Sequence, residues 1–342
     1  MIDSNLDLLT SSYDYNLPKE LIATKPVSPA DSAKLLVYLK DKERTIHTTF
    51  KDILKYIPKD TAIFLNDTKV IKARIFGKKS SGGKVELLVI KPHLDSFIVM
   101  IKGKVKPNTT LEFDNNLKAK VIKLLDDGSR VVDFFIDNKK IDFSTLVKVL
   151  DKIGHIPLPP YMNRQDSKED EKNYQTLFAK KEGSVAAPTA SLHFTKELLE
   201  KLKRDFDTYY LTLHVGAGTF KPVEAKKITN HSMHSEYFSI PKEAAKVINS
   251  NKKILAVGTT VTRTIEEYAR SKRLSGECEL FLNPLNRPIR VNFLLTNFHL
   301  PKSTLIMLVS SFIGREKTLE LYKEAIDKKY RFYSYGDAML II

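Results

Sequence analysis

Histidine titrates between pH 5 and 8, so it is the side chain best suited to moving protons near neutrality. Four of the chain's 8 histidines, His193, His214, His234 and His299, lie in polar clusters next to apolar runs. In TNFHLPKSTL (296–305), Asn297, His299, Lys302 and Ser303 stand between FLL (293–295) and LIMLV (305–309). Polar groups placed between buried segments are unfavourable unless they are paired or used. The pattern recurs in PTASLH (188–193), with Thr189 and His193, and in HVGAGT (214–219), with His214, Gly216, Gly218 and Thr219. It recurs again in GTT (258–260), where Gly258, Thr259 and Thr260 precede Arg263. HSMHSE (231–236) adds His234 and Glu236. General acid–base work is the chemistry these types offer, and helix N-termini beside them suit a carboxylate or phosphate.

Each cluster also has a structural reading. His214 fits a satisfied core residue, Thr259 and Thr260 fit helix caps, and His299 and Ser303 fit a strand cap and a first-turn cap. The spacing of His231, His234 and Glu236 matches no standard zinc site, so no metal is expected. Lys221 stands where a dinucleotide fingerprint needs its third glycine, and no Walker A sequence is present.

The elements that must position these residues alternate in type after Gly154. Thr195 precedes Leu198, Leu199, Leu202 and Phe206, which share one helical face. Strands are expected at 209–215, 254–257 and 293–296, and helices near 243–248, at 262–270 and from Pro301 onward. Residues 163–172 read as a charged loop. Alternating strands and helices give an α/β layer fold, in which ligands bind beyond the carboxyl ends of the strands. The polar clusters fall at those exits. Between 69 and 151 the pattern is different. KVELLVI (84–90), SFIVMIK (96–102), TTLEF (109–113), KAKVIKLL (118–125) and RVVDFFI (130–136) are short strand-like runs separated by turn residues. They predict a small antiparallel β-barrel inserted in an α/β domain made of 1–68 and 152–342.

The 342 residues suffice for two domains, and 56 Lys plus Arg against 41 Asp plus Glu give a formal net charge of +15. From 69 to 125 there are thirteen basic and four acidic residues, a local +9 (13 − 4). Such an excess favours a polyanion, and Lys69, Arg74, Lys78, Lys79 and Lys84 are the candidate nucleic-acid contacts. A single cysteine, Cys278, excludes an internal disulfide framework and fits a reducing compartment. The apolar stretch 305–313 is far shorter than the roughly 20 residues of a membrane span. The N-terminal segment has neither the basic nor the apolar part of a signal peptide, so a cytoplasmic protein without a membrane partner is expected.

The motifs, taken in order, resemble one family: the S-adenosylmethionine:tRNA ribosyltransferase-isomerases of queuosine biosynthesis. The stretches that carry the resemblance include YDYNLPKELIA (13–23), LNDTKVIKARIFG (65–77), GHIPLPPY (154–161), GSVAAPTASLHFT (183–195) and LHVGAGTFKPV (213–223). HSMHSEYF (231–238), VGTTVTRTIE (257–266), TNFHLPKSTLIMLVSSFIG (296–314) and YRFYSYGDAMLI (330–341) complete it. Departures fall at Ala30, Lys34, Ser191 and Leu285, where the family pattern usually has Arg, Arg, Gly and part of Pro-Gly-Tyr.

The resemblance implies an enzyme that attaches the ribosyl part of S-adenosylmethionine to 7-aminomethyl-7-deazaguanine at the wobble position of a tRNA. Adenine and methionine leave and epoxyqueuosine remains. S-adenosylmethionine is then a ribosyl-donor substrate, with no further cofactor, and the enzyme works as a monomer. The sulfonium acidifies neighbouring C–H bonds, adenine departs with a proton, and the attacking amine must be neutral. Histidine suits all three proton transfers. Carried onto this sequence, His193, His214, His234, Glu236 and His299 become catalytic candidates. Thr189, Gly216, Gly218, Thr219, Gly258, Thr259, Thr260, Arg263, Asn297, Lys302, Ser303, Tyr335 and Asp337 become substrate-binding candidates, with Thr259, Thr260 and Arg263 suiting the methionine carboxylate. Two other readings remain open: a non-catalytic tRNA-binding module, and a methyltransferase, which the missing glycine-rich turn disfavours.

Overall fold

A computed structural model describes residues 4–216, 218 and 223–342. Thr219, one of the substrate-binding candidates, lies outside the described residues. The chain divides into two compact units, one of residues 1–68, 175–181 and 188–342, the other of 69–174 and 182–187. The second unit takes in 152–174 and 182–187 as well as 69–151.

The first unit is built on a nine-stranded mixed sheet. Four strands, Thr61–Asn66, Thr208–Leu213, Lys253–Val257 and Phe293–Asn297, run parallel to one another at its centre. On one side Ala338–Ile341 pairs antiparallel to Phe293–Asn297 and parallel to Lys34–Leu39, with Arg44–Thr49 outermost. On the other side lie Glu236–Ser239, antiparallel to Thr208–Leu213, and then Ser275–Cys278, antiparallel to Glu236–Ser239. Several of the central strands are buried along nearly their whole length, so they read as apolar runs rather than alternating patterns. Successive side chains still point to opposite faces. Leu35 and Val37 enter a core with Ile63, Leu65, Leu255, Leu295 and helix Lys196–Asp205. Leu36 and Tyr38 enter a second core with Leu294, Met339, Phe298 and helices Thr304–Ile313 and Arg315–Asp327.

Thr195 caps its helix by accepting from Leu198 N–H, as expected, and Leu198, Leu199 and Leu202 are its buried face. Two expectations are corrected. The last apolar helix does not start at Pro301, which lies in a turn. It starts at Thr304, with Ser303 as cap, because the Ser303 hydroxyl accepts from Ile306 N–H. The charged stretch 163–172 is not all loop: Ser167 and Asp170 form a capping box that nucleates the short helix Lys168–Asn173.

The second unit holds a closed barrel of six antiparallel strands. Their order is Arg130–Ile136, Ser96–Lys102, Lys84–His93, Arg74–Lys79, Thr110–Glu112 and Leu117–Leu124, which pairs back onto Arg130–Ile136. Closure removes the sheet edges that short strands would otherwise expose. Alternate residues, among them Ile75, Val85, Leu87, Val89, Val99 and Val121, fill the interior. Among the described residues of both units, no helix is long and apolar enough to cross a membrane.

Candidate active site

Because the four central strands are parallel, Asn66, His214, Gly258 and Asn297 stand at the same edge of the sheet. Asn66 ties that edge together. Its amide nitrogen donates to Leu213 C=O at 2.9 Å and to Thr260 Oγ1 at 3.3 Å, and its oxygen accepts from Leu213 N–H and Thr68 N–H, both at 3.1 Å. Thr68 Oγ1 lies 2.8 Å from His214 Nδ1. The His214 ring stacks on Tyr237, and burial lowers its pKa, which favours the neutral form. Its Nε2 has no hydrogen-bond partner among the described residues. A neutral imidazole with one nitrogen anchored and the other open is the form a general base requires.

A second chain of contacts runs through the loop 188–193. Thr189 Oγ1 donates to Asn297 Oδ1 at 2.8 Å, and Asn297 Nδ2 lies 3.1 Å from His193 Nε2. His193 also bonds the Ala30 backbone. Burial, reinforced by Arg331, lowers its pKa to about 3. With Nε2 accepting from the amide, the ring proton sits on Nδ1, and both nitrogens are used. His193 therefore fixes the orientation of Asn297 rather than offering a free nitrogen. His299 is buried too, and burial lowers its pKa to about 3. Its Nε2 lies 2.7 Å from Thr296 Oγ1, its N–H donates to Tyr322 Oη, and its carbonyl accepts from Tyr15 Oη.

The HSMHSE segment builds a third feature. Glu236 and Arg263 form a buried ion pair. Glu236 Oε1 also accepts from Gly216 N–H at 2.8 Å, and Arg263 donates to the carbonyls of Leu280 and Cys278 at 3.0 and 3.1 Å. A cleft opens beside this pair, lined by Met233, His234, Glu236, Arg263, Phe281, Leu282 and the Thr304, Leu305 and Leu308 face of the last apolar helix. The exposed His234 ring lies against Gly218, whose missing side chain makes room for it. Among the described residues no group of three His, Cys, Asp or Glu is placed to hold a metal ion.

The model of the family described as queuosine biosynthesis protein matches residues 10–341. The chain belongs to that family. Proteins named S-adenosylmethionine:tRNA ribosyltransferase-isomerase are similar along nearly the whole length. The one from Aliarcobacter butzleri is 66% identical over 98% of this chain and 99% of its own, and the one from Campylobacter jejuni strain 81-176 is 60% identical over 99% and 100%. The crystal structure of S-adenosylmethionine tRNA ribosyltransferase from Thermotoga maritima covers 97% of this chain and all of its own, at 32% identity and a TM-score of 0.55.

Seen within the queuosine biosynthesis family, some candidates are committed elsewhere in this structure. Lys302 pairs with Asp14 at 2.7 Å across the surface, and Ser303 is occupied as a helix cap. Asp337 accepts from the N–H groups of Lys34 and Arg331, so it clamps backbone; Tyr335 is buried. Arg263 is paired with Glu236 and donates to two carbonyls, which engages three of its five N–H groups. Thr259 and Thr260 do open a helix, behind Gly258 at φ 102°, a conformation that favours glycine. On the barrel, Lys69 pairs with Glu182, Arg74 donates to Leu158 C=O, Lys79 donates to Lys104 C=O and Lys78 lies 4.0 Å from Glu112. Lys84 is exposed. Asn66 and Thr68 were missed by reasoning from sequence. Their signal was the same polar cluster after an apolar run, NDT following AIFL (62–65), where no strand was recognised.

Proposed function

We propose that this chain transfers and isomerises the ribosyl group of S-adenosylmethionine onto 7-aminomethyl-7-deazaguanine at the tRNA wobble position. The observation that carries this reading is the 56–66% identity to ribosyltransferase-isomerases over nearly their entire length. The products are epoxyqueuosine, adenine and methionine, with S-adenosylmethionine consumed as ribosyl donor and no additional cofactor. The enzyme works as a cytoplasmic monomer, and the basic barrel surface of Lys69, Arg74, Lys78, Lys79 and Lys84 meets the tRNA. Surface ion pairs such as Lys69–Glu182 are weak enough for phosphates to replace.

The geometry supports a division of labour among the histidines. His214, anchored by Thr68 and open at Nε2, suits removal of the proton next to the sulfonium. His234, exposed at the cleft, suits proton exchange with the departing adenine or the arriving amine. His193 and His299, neutral and buried, hold Asn297 and Thr296 in place for substrate contact. Incubating the protein with S-adenosylmethionine and tRNA bearing the aminomethyl base should release adenine, measured by chromatography. Release no greater than in an enzyme-free control would reject the activity. Salt-sensitive tRNA binding without turnover would leave the RNA-binding module, and labelled methyl transfer would leave a methyltransferase.

A further inference from the structure

The outer face of the barrel carries an aromatic side chain that packing does not require. Strand Arg74–Lys79 alternates, with Ile75 fully buried inside and Phe76 49% exposed outside. Antiparallel pairing sets Phe76 opposite Glu86, which in turn faces Lys102. The neighbouring rows are Arg74, Leu88 and Met100 on one side and Lys78 with Lys84 on the other. Met100 is itself 37% exposed. Arg74, Lys78, Lys84 and Lys102 thus share this face with two carboxylates, Glu86 and the Glu112 that pairs opposite Lys78, and Phe76 lies in their midst. The edge of the His155 ring supports it, at 5.2 Å between centroids and 71° between planes. His155 in turn is held by Asp166 at 3.0 Å.

We infer that Phe76 is a stacking platform for an unpaired base of the RNA substrate, framed by Lys78, Lys84 and Lys102, which contact the flanking phosphates. The inference rests on the proposed tRNA reading and adds to it where and how the barrel grips RNA. The argument is one of complementary chemistry. An isolated exposed apolar residue needs no explanation. A half-exposed ring bordered by cations on an otherwise regular barrel face combines the two things single-stranded nucleic acid offers, a π-face and a phosphate chain. Duplex RNA hides its bases in the stack and presents mainly phosphates and hydroxyls, so it has no use for the ring. Unpaired loop nucleotides do.

The test measures binding of an anticodon stem-loop RNA and of a blunt RNA duplex of equal length, across a range of salt. Phe76→Ala is expected to weaken stem-loop binding about tenfold, in line with the loss of one stacked base, without altering the slope of log K against log salt. Phe76→Leu, which keeps apolar bulk and removes the π-face, should lose as much, and Phe76→Tyr should bind as wild type. Duplex binding should be unchanged in all three. Lys78→Gln with Lys84→Gln should instead flatten the salt slope by roughly 0.7 for each phosphate no longer neutralised. Lys123→Gln with Lys139→Gln, on strands that pair with Arg130–Ile136 across the barrel, should do neither. Wild-type stem-loop affinity in the Phe76→Leu protein, or equal losses on stem-loop and duplex, would overturn the platform. So would a larger loss from the Lys123 and Lys139 pair. Adenine release by the wild type is read separately, so failure of the activity and failure of the platform give different results.

Discussion

Gly218 lacks a side chain because His234 occupies the space. A β-carbon there would stand 2.1 Å from His234 Cδ2 and 2.3 Å from Nε2, far inside van der Waals distance. The ring is exposed, so it can swing away, and the fold should survive the substitution. Its position at the cleft should not. Gly218→Ala is therefore expected to keep the wild-type melting temperature and lose about a hundredfold in adenine release, the scale on which an ångström of misplacement acts. Normal turnover by the Gly218→Ala protein would show that the placement of His234 is immaterial. The same residue scale shows what spacing alone does not reveal about Arg263. A lone Arg in the first turns of a helix behind a Gly-Thr-Thr turn invites an anion, and only the fold reveals that Glu236, distant in sequence, already supplies one. Separating such a buried pair strands a charge, which is far more damaging than removing a surface ion pair.

At the scale of elements, Asn66 replaces what a covalent link would do at the sheet edge. One side chain joins the ends of strands Thr61–Asn66 and Thr208–Leu213 to the first turn of helix Thr259–Ser271. Asn66→Ala leaves the Leu213 N–H and C=O and the Thr68 N–H buried without these partners. Each such group is worth about 1–3 kcal/mol, so urea unfolding should show roughly 3–5 kcal/mol lost, with adenine release falling as His214 loses its anchor through Thr68. A change below about 1 kcal/mol would mean that water replaces the amide freely. The elements also show what was legible in the sequence. Polar clusters after apolar runs marked the exits at His214, Gly258 and Asn297, because parallel central strands are buried along their length and end abruptly. Strand Thr61–Asn66 obeys the same rule yet was passed over, since an apolar run of this length reads equally as a helix segment. Five of the six barrel strands were legible through alternation and turn residues, and Arg74–Lys79 was not. Side-chain commitments such as Ser303 to its helix, Lys302 to Asp14 and Asp337 to two backbone N–H groups depend on neighbours far away in the chain, and spacing does not encode them.

For the molecule as a whole, the buried histidines set a dependence of stability on acidity. His193 and His299 are held near pKa 3 by burial, with Arg331 adding to the effect at His193. In the unfolded chain both return to about 6.5. Above pH 6.5 neither state binds a proton at these sites, and the full stability is present. As pH falls below 6.5 the unfolded chain takes up a proton at each site and the folded chain does not. Stability must then decline, by about 1.4 kcal/mol per pH unit for each histidine once well below 6.5. His214, also lowered by burial, acts in the same direction. Most carboxylates contribute little between pH 6.5 and 5, which lies above their ordinary range, and Asp337, raised by burial, acts in the opposite direction to the histidines. The net charge of +15 also favours unfolding as further protons are added, so a falling midpoint alone would not single out the histidines. A neutral replacement separates the two. Urea unfolding at pH 7.5, 6.5 and 5.5 should show wild-type stability nearly level between 7.5 and 6.5 and lower at 5.5, and below pH 6.5 His299→Gln should fall less steeply by the equivalent of one proton. If both proteins lose stability with the same slope, His299 is not held neutral in the folded state, and its assignment as a buried positioning residue for Thr296 fails with it.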